Sequence, residues 1–234
     1  MLGIRCLKRR VLCLCMVVFC GGMPLRSVEG QETFSGQYSG AIVVLTPIKQ
    51  TPKLKLYLEG QLRLQARKSQ RPLERHLLWA GLGYALSPKT SLWAAYGWTP
   101  NYNPQFTNEQ RSFQQIIHAE NIKGGELLLR GRLEERFIPE ESTPLVFARA
   151  LARYQRNFKE HPKFYWVLQN EVMLNVNTIN PNTKRGFSQA LSFVGLGRHI
   201  TPHVMAELGY MAAYSHSTNA ALQHILMVNV FYFH

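Results

Sequence analysis

The stretch Gly125–Phe137 (GELLLRGRLEERF) alternates between apolar and charged side chains. Successive side chains of an extended strand point to opposite faces, so this alternation predicts a strand with one apolar and one charged face. The apolar face carries Leu127, Leu129, Gly131, Leu133 and Phe137, and the charged face carries Glu126, Arg130, Arg132, Glu134 and Arg136. A water-soluble sheet can have the same pattern. The rest of the chain must therefore show which solvent each face meets.

The start of the chain has the three-part layout of a secretory signal peptide. Arg5, Lys8, Arg9 and Arg10 precede an apolar run at 11–23, and small residues follow up to Gly30. The run is shorter than the roughly 20 residues of a spanning helix. We therefore predict that residues 1–30 are a signal peptide, which is removed on export. All 4 cysteines lie within it, so the exported part can form no disulfide.

The exported part repeats the period-2 pattern from end to end. The segment 53–67 places Leu54, Leu56, Leu58, Leu62 and Leu64 on one face. Further strands are predicted at 74–86, 91–99, 110–121, 145–155, 164–177, 187–199, 203–214 and 222–233, and in the last of these Ile225, Met227, Phe231 and Phe233 form the apolar set. Long and short connections alternate, and no helix-length pattern follows the presequence. This organisation is typical of an all-β, antiparallel, up-and-down transmembrane β-barrel, in which apolar residues face lipid.

The number of strands stays open between ten and twelve. Ten strands start from residue 53, and the apolar segment 38–46 would make eleven. Bacterial barrels usually have an even number. Either this segment lies outside the lipid-facing sheet, or one further strand is unrecognised. The predicted organisation is a signal peptide at 1–30, an N-terminal segment with one short strand at 31–52 and the barrel at 53–234.

The charge balance does not by itself define a partner. The formal net charge is +13, which could indicate nucleic acid. The exported context and the position of the arginines on strand faces argue against nucleic acid as a partner.

Several residue patterns could carry chemistry, but each has a simpler structural interpretation. His118 and Glu120 share one side of a strand and could form a general-base pair, although residues at the barrel rim would look the same. His199 and His203 flank a Thr201-Pro202 turn rather than one helix face, which does not favour a metal site. Gly195-Leu196-Gly197 indicates a bend or close packing rather than a phosphate loop. No nucleophile motif occurs and aspartate is absent, so we predict no catalytic residue, no metal site and no cofactor.

The inward-facing charges are the strongest functional signal. Centring the hairpin loops on residues 140–141 and 159–160 places Arg132 opposite Arg149 and brings Glu171 beside Arg149. Like charges repel across strands, so carboxylates must lie close by. The predicted lumen network comprises Glu59, Arg63, Arg130, Arg132, Glu134, Arg136, Arg149, Arg153 and Glu171. From this arrangement we expect that replacing Glu171 with glutamine lowers stability and raises the anion preference of any pore.

Four short motifs resemble those of an uncharacterised family of Gram-negative outer-membrane β-barrel proteins, known as a domain of unknown function. They are Glu109-x-Arg111-x-Phe113-Gln114-Gln115, Arg130-x-Arg132-Leu133-Glu134-x-Arg136, Asn170-Glu171 and Glu207-x-Gly209-Tyr210. The resemblance covers most of the exported chain. It implies a barrel in the outer membrane and assigns no activity.

These observations favour a monomeric outer-membrane barrel that serves as a narrow porin-like channel or a structural barrel. Its expected partners are outer-membrane lipid, lipopolysaccharide and the barrel assembly machinery. The alternative is a barrel enzyme or binder that acts on an acidic lipid or a lipopolysaccharide-type ligand.

Overall fold

A computed structural model describes residues 35–48, 51–65, 73–102, 106–139, 141–181, 183–216 and 221–233. The predicted signal peptide lies outside these residues. Within these residues the regular elements are all β-strands. The same residues contain no helix that is long and apolar enough to cross a membrane. The strands are β1 (Ser35–Ile48), β2 (Thr51–Gln65), β3 (Leu73–Ala85), β4 (Thr90–Asn101), β5 (Thr107–Ile122), β6 (Gly125–Phe137), β7 (Leu145–Asn157), β8 (Phe164–Asn175), β9 (Gly186–His199), β10 (Val204–Ser215) and β11 (Ala221–Phe233).

The strands form one closed barrel in sequence order. Each strand pairs antiparallel with the next, and the barrel closes where β1 pairs parallel with β11. The all-β up-and-down barrel is therefore confirmed, with one parallel seam that the sequence did not predict. The seam runs from Ser35 opposite Gln223 to Leu45 opposite Phe233.

The segment at 38–46, whose place the sequence left open, lies inside β1. It is a full barrel strand between β2 and β11, so the described part of the chain has an odd number of strands. The even number of strands that is usual in bacterial barrels is therefore not found in this part of the chain. Because β1 and β11 run in the same direction, Ser35 and Phe233 lie at opposite ends of the barrel.

The period-2 pattern sets which side chains face inwards. On β6, Arg132 and Glu134 are buried in the interior, while Leu129 and Leu133 are exposed on the outer face. The same division holds on β2, where Tyr57 is buried and Leu58, Leu62 and Leu64 are exposed. The faces predicted for these strands are confirmed.

The lipid-facing set predicted for β11 is wrong. Ile225 is fully buried, and Met227, Phe231 and Phe233 line the central cavity. The outer face of β11 instead carries Leu226 and Val228, which are exposed. Both faces of this strand are apolar, so its sequence pattern could not show which one points outwards.

Short and long connections lie at opposite ends of the barrel. β5 and β6 are joined by Lys123 and Gly124, which have φ values of 43° and 78°. Two consecutive residues with positive φ are typical of a tight hairpin turn whose twist matches that of the strands. Among the longer connections, the loops after β6 and β8 pack together, because Ile138 and Ile179 contact the same buried cluster and Asn180 Nδ2 donates to Glu141 Oε1 at 2.7 Å.

Two interior clusters combine aromatic rings with facing glycines. Tyr57, Trp79, Trp93 and Phe113 pack on the β2–β5 side, and Tyr165 and Phe193 pack among the apolar residues of β8–β11. A Cβ atom at Gly83 would overlap the ring of Trp93, and one at Gly197 would overlap the ring of Tyr165. The glycines therefore provide the space that the rings fill, which supports the packing interpretation of Gly195 and Gly197.

Candidate functional site

The barrel encloses a central cavity of about 650 Å³ that is lined by residues of every strand. Its walls differ in chemistry. The arginines along it are Arg63, Arg75, Arg111, Arg130, Arg132, Arg136, Arg149 and Arg153, and the glutamates are Glu59, Glu74, Glu126 and Glu171. The lining is therefore richer in cationic than in anionic side chains.

Glu134 is the centre of the interior charge cluster. Its side chain is fully buried and meets four guanidinium groups. Oε1 lies 3.2 Å from Arg111 Nη1 and 3.1 Å from Arg136 Nε, and Oε2 lies 3.7 Å from Arg132 Nη1. Arg149 Nη1 donates to Oε2 as well. A buried carboxylate stays charged only when it is compensated in this way.

Glu171 is the second acceptor of the cluster. Its Oε1 accepts hydrogen bonds from Arg130 Nη2 at 2.7 Å and from Arg149 Nε at 2.8 Å. Arg149 thus joins both carboxylates. The predicted pairing of Arg132 with Arg149 across β6 and β7 is confirmed. The predicted register of β7 and β8 is wrong by two residues, because Arg149 lies opposite Met173 and Glu171 lies opposite Leu151; the long side chains still bring Arg149 and Glu171 together.

Arg132 avoids repulsion from Arg149 through a different set of contacts. Its Nε donates to Gln115 Oε1 at 2.9 Å, and its guanidinium lies 3.8 Å from the ring centroid of Phe113. A cation over an aromatic face is stabilised by the ring quadrupole. The family-like segment of β5 therefore supplies both an amide and a ring to the cluster.

Three residues of the predicted network form no hydrogen bond or ion pair with this cluster, although Glu59 lies within electrostatic range of Arg130, Arg132 and Arg149. Glu59 accepts hydrogen bonds from Tyr57 and Gln61. Arg153 pairs with Glu207 on the far side of the lumen rather than with Glu171. Arg63 makes no hydrogen bond or ion pair with any described residue. The structure thus brings together Arg130, Arg132, Glu134, Arg136, Arg149 and Glu171, and places Glu59, Arg63 and Arg153 elsewhere on the lumen wall.

Besides Gln115 and Phe113, the sequence reasoning missed four participants in the interior contacts. Arg111 and Glu109 join the cluster from β5, with 2.9 Å between Arg111 Nε and Glu109 Oε1. Glu207 accepts from Tyr165 Oη at 2.8 Å in addition to Arg153. Each of these residues occupies an inward-facing position, so strand parity alone could have identified them.

The structure gives separate contacts to the residues weighed as a general-base pair and as a metal site. His118 Nδ1 lies 2.9 Å from Thr90 Oγ1, and Glu120 forms an ion pair with Lys89 at 3.1 Å in the turn between β3 and β4. His203 Nδ1 contacts the backbone oxygen of Phe233, while the ring of His199 packs on Tyr165. His118 and Glu120 lie near the end of β5, as the simpler interpretation predicted, and His199 and His203 flank the turn between β9 and β10.

The opposite side of the lumen is mainly apolar. We call apolar wall the residues of β9, β10, β11 and β1 that line the cavity there, namely Val43, Leu45, Leu191, Phe193, Met205, Met211, Met227 and Phe231. The lumen is therefore amphipathic in cross-section. One side offers guanidinium groups, and the other offers hydrocarbon and thioether groups.

Comparison with known proteins identifies a family but no activity. The family model described as "Protein of unknown function (DUF2490)" matches residues 43–223. No match was found among curated proteins or among solved structures. The matched range runs from within β1 into β11 and contains the whole charge cluster. The chain therefore belongs to the DUF2490 family of proteins of unknown function.

Proposed function

We propose that this protein is an outer-membrane β-barrel whose charged lumen forms a narrow channel. The observation that carries the proposal is the polarity of the two surfaces, apolar outside and charged inside. Exposed apolar side chains lie on nearly every strand, for example Ile42 on β1, Leu62 on β2, Leu133 on β6 and Leu208 on β10. Soluble monomers rarely expose apolar surface on this scale, whereas barrels in lipid require it.

Several polar groups on the outer face are hydrogen-bonded to one another, which suits a lipid environment. Asn170 Nδ2 donates to Ser192 Oγ at 2.7 Å, and Ser112 Oγ donates to Glu135 at 2.8 Å. Satisfied polar groups cost far less in hydrocarbon than isolated ones. Aromatic side chains such as Trp98 and Trp166 lie near opposite ends of the barrel, where girdles are expected.

Location is tested by fractionation and by gel migration. The folded protein should partition with outer-membrane lipid and lipopolysaccharide as a monomer, and it should migrate differently before and after boiling. Insertion by the barrel assembly machinery is part of this proposal. Recovery of the protein as a soluble periplasmic species would contradict it.

The channel itself is tested by single-channel recording in planar bilayers. Because arginines predominate along the lumen, we expect a small conductance with a modest anion preference. Glu171→Gln removes a negative charge that compensates Arg130 and Arg149, so it should raise that preference. Glu135→Gln on the outer face is the matched control and should leave selectivity unchanged. A folded barrel that never conducts would contradict the channel.

A further inference from the structure

We propose that the lumen binds a single-chain anionic amphiphile, with its acidic head between Arg63 and Arg75 and its chain along the apolar wall. The inference rests on the proposed function, because it concerns the same lumen. It goes further by naming the chemical class that the lumen accepts, which the charge cluster alone does not define.

The head site is a pair of arginines that the barrel leaves poorly compensated. Arg63 on β2 pairs directly with Arg75 on β3 in the sheet register. Like charges at paired positions repel. Arg75 Nη2 lies 3.8 Å from Glu74 Oε1, a long contact, and Arg63 has no hydrogen-bonding partner among the described residues. In contrast, Arg149 contacts two carboxylates within the cluster.

The surrounding charges increase the attraction for an anion at this point. Arg136 and Arg111 lie within electrostatic range of both Arg63 and Arg75. Glu74 is the carboxylate that acts on both arginines of the pair, so two cations share it, and Glu109 acts more weakly on Arg75. The carboxylates nearest to Arg136 and Arg111, namely Glu109 and Glu134, are already occupied by them. An added carboxylate, sulfate or phosphate head would accept charge-assisted hydrogen bonds from the free guanidinium edges.

The apolar wall begins close to the head site. In the register, Arg63 is opposite Ser39 on β1, and Ser39 is opposite Met227 on β11. Adjacent strands are roughly 4.8 Å apart, so the two neighbouring strands place Met227 about 10 Å from the backbone of Arg63. An arginine side chain can span much of this distance. A head held by Arg63 can therefore continue directly into a chain that packs on Met227.

The wall suits a flexible hydrocarbon chain rather than a small hydrated ion. It includes the thioethers of Met205, Met211 and Met227, which adapt to irregular apolar shapes. The cavity volume of about 650 Å³ lies within the range of roughly 300–1,000 Å³ that is typical of ligand pockets. A small inorganic anion would use the arginines and leave this wall without a partner. An amphiphile uses both.

Tryptophan fluorescence provides a direct test on the full barrel in phosphatidylcholine vesicles. The variant Trp98→Phe/Trp166→Phe removes the outer-face indoles and leaves Trp79 and Trp93, which line the lumen. The probe is dibrominated palmitate, whose bromines quench nearby indoles. We expect saturable quenching. In the same background, Arg63→Gln/Arg75→Gln should weaken binding about tenfold or more, because it removes charge-assisted hydrogen bonds.

Matched variants separate the two parts of the site. Arg198→Gln removes an exposed arginine of β9 that stacks on Phe164 outside the lumen, so the affinity should stay within about twofold of the background. Met227→Gln should weaken palmitate binding while the arginine pair stays intact. Only protein that retains heat-modifiable migration is compared. If Arg63→Gln/Arg75→Gln fails to fold, Arg63→Lys/Arg75→Lys takes its place, and this variant should bind palmitate more weakly than the background but still measurably.

Three results would overturn the inference. They are quenching that never saturates, equal binding of the uncharged dibrominated hexadecanol, and competition by butyrate or inorganic phosphate as effective as that by palmitate. The last result would reduce the site to a simple anion site. A barrel that conducts ions but fails these tests loses only the amphiphile site, whereas one that passes them without conducting loses only the channel.

Discussion

At the scale of single residues, the interior depends most on Glu134. It is fully buried, and it is the acceptor shared by Arg111, Arg132, Arg136 and Arg149. Four cations gathered around one carboxylate are stable only while the carboxylate is charged. The cluster therefore concentrates the cost of burying several arginines on one side chain.

We predict that Glu134→Gln destabilises the barrel by about 3 kcal/mol or more, since it leaves buried cations uncompensated. The adjacent Glu135→Gln is the control. Glu135 lies on the outer face and accepts one hydrogen bond from Ser112, so its loss should cost about 1 kcal/mol or less. Urea unfolding of both variants in the same vesicles measures the difference. Equal losses would mean that Glu134 is not the centre of the cluster.

Close packing of glycine against an aromatic ring gives a second prediction at this scale. Gly197→Ala places a methyl group within the ring of Tyr165, whose Oη donates to Glu207 at 2.8 Å. Overpacking should cost about 1–3 kcal/mol. In the control Gly60→Ala on β2, the nearest heavy atom to the new Cβ is at 3.7 Å, so stability should hardly change. A neutral Gly197→Ala in the unfolding measurement would show that Tyr165 does not lie over this glycine.

At the scale of strands, the success of sequence-based prediction depended on how different the two faces are. On β6, apolar and charged residues alternate, so parity fixed the interior correctly. On β11, Ile225 and Met227 face inwards while Leu226 and Val228 face outwards, and nothing in composition separates the two sets. Hairpin geometry also fixed the pairing of Arg132 with Arg149.

Contacts across the lumen could not be predicted in the same way. Arg153 on β7 meets Glu207 on β10, although β8 and β9 lie between these strands in the sheet. Such a contact depends on barrel closure and on side-chain length. The pairing of neighbouring strands, which the sequence can predict, determines neither. The apolar wall was missed for a related reason, since Val43 and Leu45 of β1 join the wall residues of β9, β10 and β11 only after closure.

The parallel seam between β1 and β11 provides the prediction at this scale. Because no cysteine follows Cys20 in the sequence, an engineered pair within the barrel reports on the seam alone. Ile42 and Val230 are register partners on the outer face, so Ile42→Cys/Val230→Cys should oxidise to a disulfide and change migration on a non-reducing gel. Ile42→Cys/Phe231→Cys places the thiols on opposite faces and should stay reduced. Cross-linking of the second pair instead would indicate a different register.

At the scale of the whole molecule, the odd strand number and the two-sided lumen are linked. β1 adds Val43 and Leu45 to the wall and sets Ser39 between Arg63 and Met227. Without β1, the apolar residues of β11 would not continue to the arginine pair. β1, whose place the sequence left open, is therefore the strand that connects the arginine pair to the apolar wall.

We propose a closed barrel with its apolar surface towards lipid and an amphipathic lumen, and nitroxide scanning of β11 in vesicles tests this arrangement most directly. Single labels at Leu226, Val228 and Val230 should show high accessibility to oxygen and low accessibility to a water-soluble nickel complex, because these residues face outwards. Labels at Met227 and Asn229 should show low oxygen accessibility, because these residues line the cavity. Both faces of β11 are rich in apolar residues. The polarity of the native side chains therefore does not predict alternating accessibility, whereas a barrel with a lipid-facing and a lumen-facing side does. Equal oxygen accessibility at all five positions, or the opposite alternation, would contradict the barrel described here.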